Sequence, residues 1–402
     1  MREAEQQELI AFNHERAFMN QSIISVILLI AYLLIAPLAT ASEADFQQGK
    51  QAYLKKDYAT AFTAFKKAAD KNHAGALYWL GTMYQSNKFG LEADQKKMYA
   101  LIQRAADNGH ASAAYSIAQR KASDIELLFD NTDLSDAILL YEKAAKLGHV
   151  KAQKWLADVH APKRKFHGDI KKHIHWIQKS AQGGDREAQF TLSEAHMQGV
   201  VVNKSKKEAF KWLEQSAKRG HVKAQIEIGK VYLSGFLEKE KNPKLAMEWL
   251  KLAGRNGSGE AIMVLGMILI IGEDVEKKPE LGLNLLKEAA KKGHVPAMFK
   301  IGELYALGIT GKPEIIKSLT WINVAGLKGH PNADKAKAVI KRKHGYGPAE
   351  LTKAKLRAEN CIATNYTRCN YDSRKLTNYN QKLLDDVTQR AKERSQQQTP
   401  RH

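Results

Sequence analysis

The stretch AFKWLEQSAKRGHVKAQIEIGKVYLSG, residues 209–235, decides the fold of this chain. Ahead of Gly220-His221, Trp212 and Ser216 are four residues apart and share one helical face. Beyond it, Ala224 and Ile228 do the same on a second helix. Gly220 stands where a helix C-terminus takes a left-handed residue, and Gly235 is placed to end the second helix. The spacing predicts two antiparallel helices joined by a tight turn.

The same unit recurs along most of the chain. The Ala that follows the turn appears at Ala76, Ala113, Ala152, Ala188, Ala224, Ala261, Ala297 and Ala333, in steps of 36 to 39 residues. Gly-His marks the turn at Gly109, Gly148, Gly220, Gly293 and Gly329, relaxing to Asn72-His73, Gly184-Asp185 and Gly257-Ser258. A large apolar residue (Leu101, Leu140, Trp176, Trp212, Trp249, Leu285, Trp321) precedes each small pair. A period of this size means stacked supersecondary units, so the functional question is which face binds rather than which residues react.

This pattern resembles the Sel-one-like repeat, a helical-hairpin relative of the tetratricopeptide repeat, over roughly residues 46 to 340 in eight units. The resemblance implies an all-α fold, an α-solenoid forming a right-handed superhelix of about eight two-helix repeats. It also implies a protein-binding scaffold with no catalytic residue, no cofactor and no metal. The first unit departs from the pattern, with Ala64 for the large apolar residue and Asn72 for Gly, and the eighth carries Lys337 at an apolar position. Some secreted members of the family carry a Cys pair in every repeat and are linked to penicillin binding. These repeats contain no Cys, so that subgroup is not matched; an envelope hydrolase of the penicillin-binding, β-lactamase-like type stays as the alternative reading, and a binder of anionic envelope glycans is another.

The chain divides into four segments by composition. Residues 1–41 hold an N-terminal extension and a signal peptide. Ile23 to Ile35 is nearly all apolar and shorter than the ~20 residues a bilayer span needs. Ala39-Thr40-Ala41 then forms an A-x-A cleavage signal. The acidic positions Glu3, Glu5, Glu8 and Glu15 are foreign to a signal peptide, which places the true start at Met19. Residues 42–340 form the solenoid, 341–370 a helical cap with a Cys pair, and 371–402 a polar, partly disordered tail. Cys361 and Cys369 are the only cysteines; an even pair in an exported chain reads as one disulfide. The expected location is secreted, in the bacterial periplasm, with an uncleaved signal anchor as the alternative.

Charge narrows the partner. The net charge of +20 favours anionic partners, and export removes nucleic acid from them, leaving an acidic protein or an anionic envelope polymer. Positions nine, five and two before each turn Gly vary while their neighbours stay apolar or small, which predicts an exposed stripe on the first helices. In repeats two to five it holds Arg104, Lys143, Lys146, Lys179, Lys211 and Lys218, opposed only by Asp107. In repeat eight it becomes Thr320, Val324 and Leu327. The turn histidines are read as structural. His160, His167, His173 and His175 form a denser set, in which His173 is in register to touch the neighbouring helix.

Overall fold

The computed structural model describes residues 41–90, 92–126, 134–162, 168–309, 311–367 and 369. The signal segment up to residue 40, His167 and the tail from residue 371 lie outside the described residues. Helix α1 covers residues 41–54. Four hairpins follow: α2 (Tyr58–Asp70) with α3 (Ala74–Met83), α4 (Gln95–Asp107) with α5 (Ala111–Glu126), α6 (Ser135–Lys146) with α7 (Val150–Val159), and α8 (Ile170–Gln182) with α9 (Arg186–Gln198). The next four are α10 (Lys206–Lys218) with α11 (Val222–Ser234), α12 (Pro243–Arg255) with α13 (Gly259–Ile271), α14 (Pro279–Lys291) with α15 (Val295–Leu307), and α16 (Ile315–Leu327) with α17 (Ala333–His344). Helix α18 (Pro348–Ala363) closes the described chain. Among the described residues there is no strand. The helices group into two compact units that divide between Ala188 and Gln189.

The Gly-His turn does two jobs at once, which explains its recurrence. At the end of α4, the His110 N–H donates to the Ala105 carbonyl (2.9 Å) and the Gly109 N–H to that of Ala106 (3.2 Å). This closes the helix with a residue in the left-handed region, Gly109 at φ 83°. The His110 ring then accepts at Nδ1 from the Ala113 N–H (3.2 Å), capping the start of α5. His73, His149 and His221 cap α3, α7 and α11 in the same way. Where the sequence relaxes, Asp185 and Ser258 supply another acceptor, to Ala188 and Ala261. Asn72 takes the Gly position at φ 57°.

The rings also tie successive hairpins together. His110 stacks on Tyr78, His149 on Tyr115, His221 on Phe190 and His330 on Phe299, with centroids 3.9–4.7 Å apart. Helix α1 joins this ladder: Phe46 stacks on His73 at 4.4 Å, Glu43 reaches His73 Nε2 at 2.9 Å, and Asp45 pairs with Lys67 and Lys71. It therefore takes the place of a missing second helix and covers the first hairpin.

Trp176 and Trp321 are buried, as the spacing leads one to expect, but in five other hairpins the core register is shifted by one residue. Trp212, Trp249, Leu101, Leu140 and Leu285 are only half-buried. The residue after each is the enclosed one: Ile102, Tyr141, Leu213, Leu250 and Leu286 are all at most 8 % exposed. Phe65 follows Ala64 and is fully buried, so the first unit keeps the core position after all. The large residues instead reach across layers. Trp249 packs on the cluster around Leu213 and Ile228, and Leu285 on the one around Leu250 and Leu265.

Glycine permits the closest approaches. A Cβ at Gly266 would lie 2.2 Å from Leu286 Cδ1, and one at Gly302 would lie 2.7 Å from Ile322. In each case the second helix of one hairpin meets the enclosed residue of the next at backbone distance.

Candidate partner-binding surface

Within the first unit the predicted stripe residues are exposed on the first helices. They connect from hairpin to hairpin. Arg104 on α4 donates to Asn72 Oδ1 (2.7 Å) in the turn before it, and Lys143 on α6 pairs with Asp107 (3.0 Å) at the end of α4. Hydrogen bonds from Lys143 and then Gln103 hold the Asp107 carboxyl below its usual range. Lys146 pairs with Glu142 at 3.7 Å, and Lys179 stands exposed in the last turn of α8. In the second unit Lys211 and Lys218 are exposed on α10.

Two parts of the sequence reading need correction. Asp107 is not the only acid opposing the basic stripe: Glu208 meets Lys211 and Glu214 meets Lys218, each at 3.0 Å, as Glu142 meets Lys146. All three acids sit three or four residues before their lysine, the spacing at which helical side chains meet. Exposed pairs of this kind contribute only ~0–1 kcal/mol, so an incoming carboxylate can replace them at little cost.

The second correction concerns repeat eight. Thr320 and Val324 are fully buried there, and only Leu327 is exposed. Helix α18 packs on α16, placing Ala358 and Cys361 in the cluster that holds Trp321 and Val324. Cys361 and Cys369 form a disulfide, as the sequence led one to expect. Sequence reading missed this cover, although the change to apolar residues at these positions was its signal. Lys337 is half-buried and pairs with Asp334 (2.6 Å), which gives the last hairpin a polar outer side.

Of the denser set, His160 is buried, and two others have ordinary surroundings. His173 Nδ1 donates to the Ala157 carbonyl on α7 (2.7 Å), so it does touch the neighbouring helix. His175 lies exposed at the edge of Trp176. Among the described residues no group of three or more His, Cys, Asp or Glu is placed to hold a metal ion, and no helix is long and apolar enough to cross a membrane.

The model of the Sel1 repeat matches seven segments: residues 46–73, 74–110, 131–149, 186–221, 222–258, 259–294 and 295–330. The chain belongs to the Sel1 repeat family. Each matched segment ends on the residue that follows the Gly or Asn of the turn, and the helices α5, α7 and α8 lie in stretches without a match. Sel1 repeat proteins generally act as scaffolds for protein–protein interaction and are typically non-catalytic.

Similar solved structures include a Sel1 repeat protein from Oxalobacter formigenes, 21 % identical with a TM-score of 0.47, covering 76 % of this chain and 90 % of that one. A protective antigen of uropathogenic Escherichia coli with an SLR fold is 19 % identical with a TM-score of 0.35, covering 82 % and 86 %. An immunity protein from Pseudomonas aeruginosa is 17 % identical with a TM-score of 0.33, covering 54 % and 81 %. No curated protein matches the chain.

Proposed function

We propose that this Sel1 repeat protein is an exported adaptor whose first helices hold an acidic segment of a protein partner. One observation carries the reading. Arg104, Lys143, Lys146 and Lys179 in the first unit, and Lys211 and Lys218 in the second, are exposed at repeat positions that packing does not use. Their contacts are weak surface pairs that a partner's carboxylates can replace. Export is supported by the disulfide between Cys361 and Cys369, a bond that persists in oxidising compartments. It is also supported by the sequence Ala39-Thr40-Ala41, whose last residue opens α1. Helix α18, packed on α16, then serves to close the array.

In-cell cross-linking followed by mass spectrometry identifies the partner, and charge reversal locates its surface. Lys179→Glu with Lys211→Glu and Lys218→Glu should leave helicity and thermal stability nearly unchanged, and should reduce capture at least tenfold with a flatter salt dependence. Reversing three exposed lysines off the stripe, Lys66, Lys292 and Lys355, matches the change in net charge. Equal loss in both triple variants would mean diffuse binding to polyanions instead.

A further inference from the structure

Helix α13 breaks a pattern that its neighbours keep. Its outward positions hold Val264, Met267 and Ile271, where the equivalent positions of α11 hold Glu227, Lys230 and Ser234. Apart from Glu260 and its glycines, α13 is apolar on every side. A helix of that kind is ordinarily covered on every side. Yet Ile271 is 58 % exposed, and Met263, Val264 and Met267 are only half-buried. Leu307 on α15 and Val339 on α17 are also more than half exposed.

These side chains line two adjoining clefts within the second unit. One, of about 520 Å³, lies over Phe299, Leu304 and Ile340 of α15 and α17. The other, of about 300 Å³, is bounded by Leu233 of α11 and Val264 of α13. Met267 lines both, so they form one groove across the second helices. Both volumes fall in the range of specific binding clefts, ~300–1,000 Å³. Among the described residues α18 packs chiefly on α16, a first helix, and none of its side chains lines either cleft.

The rim is charged in opposite senses at its two ends. Glu273 and Asp274 border the α13 end beside Lys241. Lys335, Lys343 and His344 border the α17 end, while Lys300 and Glu303 between them pair with each other. A ligand matching this rim is acidic at one end, basic at the other and apolar along one side.

We propose that this groove docks an amphipathic helix of a protein partner, its acidic end at Lys335 and Lys343 and its basic end at Glu273 and Asp274. Apolar anchors at i, i+3 or i+4, and i+7 fill the clefts over α13 and α15. The two methionines adapt their shape to those anchors. Acidic residues at the N-terminal end and basic ones at the C-terminal end also suit a helix's own dipole, which orients the ligand with its N-terminus at α17. Crossing four helices about 8–10 Å apart takes about 24–30 Å, or roughly 16–20 helical residues. This site is separate from the basic stripe on the first helices and stands or falls without it.

The test uses two fluorescein-labelled 18-residue amphipathic peptides with the same leucine stripe. One carries Glu in its first turns and Lys in its last, and the other has the order reversed. Titrated with the full chain and read by fluorescence anisotropy, the first should bind in the micromolar range and at least tenfold tighter than the second. Met267→Lys, and independently Val339→Gln at an exposed position, should each weaken the first peptide at least tenfold with the circular dichroism unchanged. Lys335→Glu with Lys343→Glu makes both ends of the rim acidic and should abolish the preference between the two. Equal binding of both peptides, or binding indifferent to Met267 and Val339, would overturn the proposal. So would sedimentation showing a dimer that Met267→Lys dissociates, since a second copy would then cover the groove.

Discussion

At the scale of single residues, the repeat separates two kinds of large side chain that look alike in sequence. Leu213 is 1 % exposed, in a cluster of its own hairpin against which Phe190, Met197 and Trp249 of the adjoining hairpins pack, whereas Trp212 is half-buried with the Lys211 ammonium 5.4 Å from its ring. Truncating Leu213 leaves a sealed void, but truncating Trp212 leaves a notch that water can enter. Leu213→Ala is therefore expected to cost about 2–5 kcal/mol, and Trp212→Ala the lesser amount, about 1–3 kcal/mol. Chemical denaturation of the two variants checks the order. Alternation of large and small residues was legible in the sequence, but which of two adjacent large residues is enclosed depends on how the neighbouring hairpin crosses.

At the scale of the element, the turn histidines make the array sensitive to acid. Nδ1 can accept the capping N–H only while it is unprotonated, and a cation there would also oppose the positive end of the helix dipole. Burial holds the ring pKa low at the capping residues His110 and His149, and also at His294, whose ring makes no capping bond. A folded-state pKa below the unfolded value of about 6.5 means that the unfolded chain binds more protons. The stabilising contribution is full above that value and is lost as pH falls from it toward the folded pKa. The melting temperature should thus drop between pH 7 and pH 5, before most carboxylates titrate. His149→Asn keeps an acceptor at the cap without a titrating ring, so it should reduce the slope. An unchanged slope in that variant would remove His149 from the account. Helix α18 belongs to this scale too. Its docking explains why Thr320 and Val324 are apolar or uncharged at stripe positions, which no reading of repeat periodicity alone can supply.

At the scale of the whole molecule, a repeat protein's stability is close to a sum of hairpin and interface terms. Damage should therefore stay local. Leu213→Ala is expected to lower hydrogen-exchange protection first in α10, α11 and the adjoining α12, leaving α3 to α5 of the first unit unchanged. Exchange measured peptide by peptide would show this, and a uniform loss across both units would contradict it.

The sequence by itself determined the hairpin, its number of repeats, its turns and the exposure of the six basic positions on the first helices of repeats two to five. These follow from local rules: helical spacing, the left-handed Gly and the capping acceptor are all set within about a dozen residues. The ion pairs that offset Lys146, Lys211 and Lys218 sit at three- or four-residue helical spacing and were legible in the sequence as well. Two features were decided only by the tertiary structure: the cover that α18 places over repeat eight, and the open groove beside α13. Each depends on which side chains from separate elements meet, and on which faces remain without a neighbour when the last helix has packed. Val264 and Met267 read in sequence as ordinary core residues of an apolar helix. Only the placement of the surrounding helices shows that nothing in the described chain covers them.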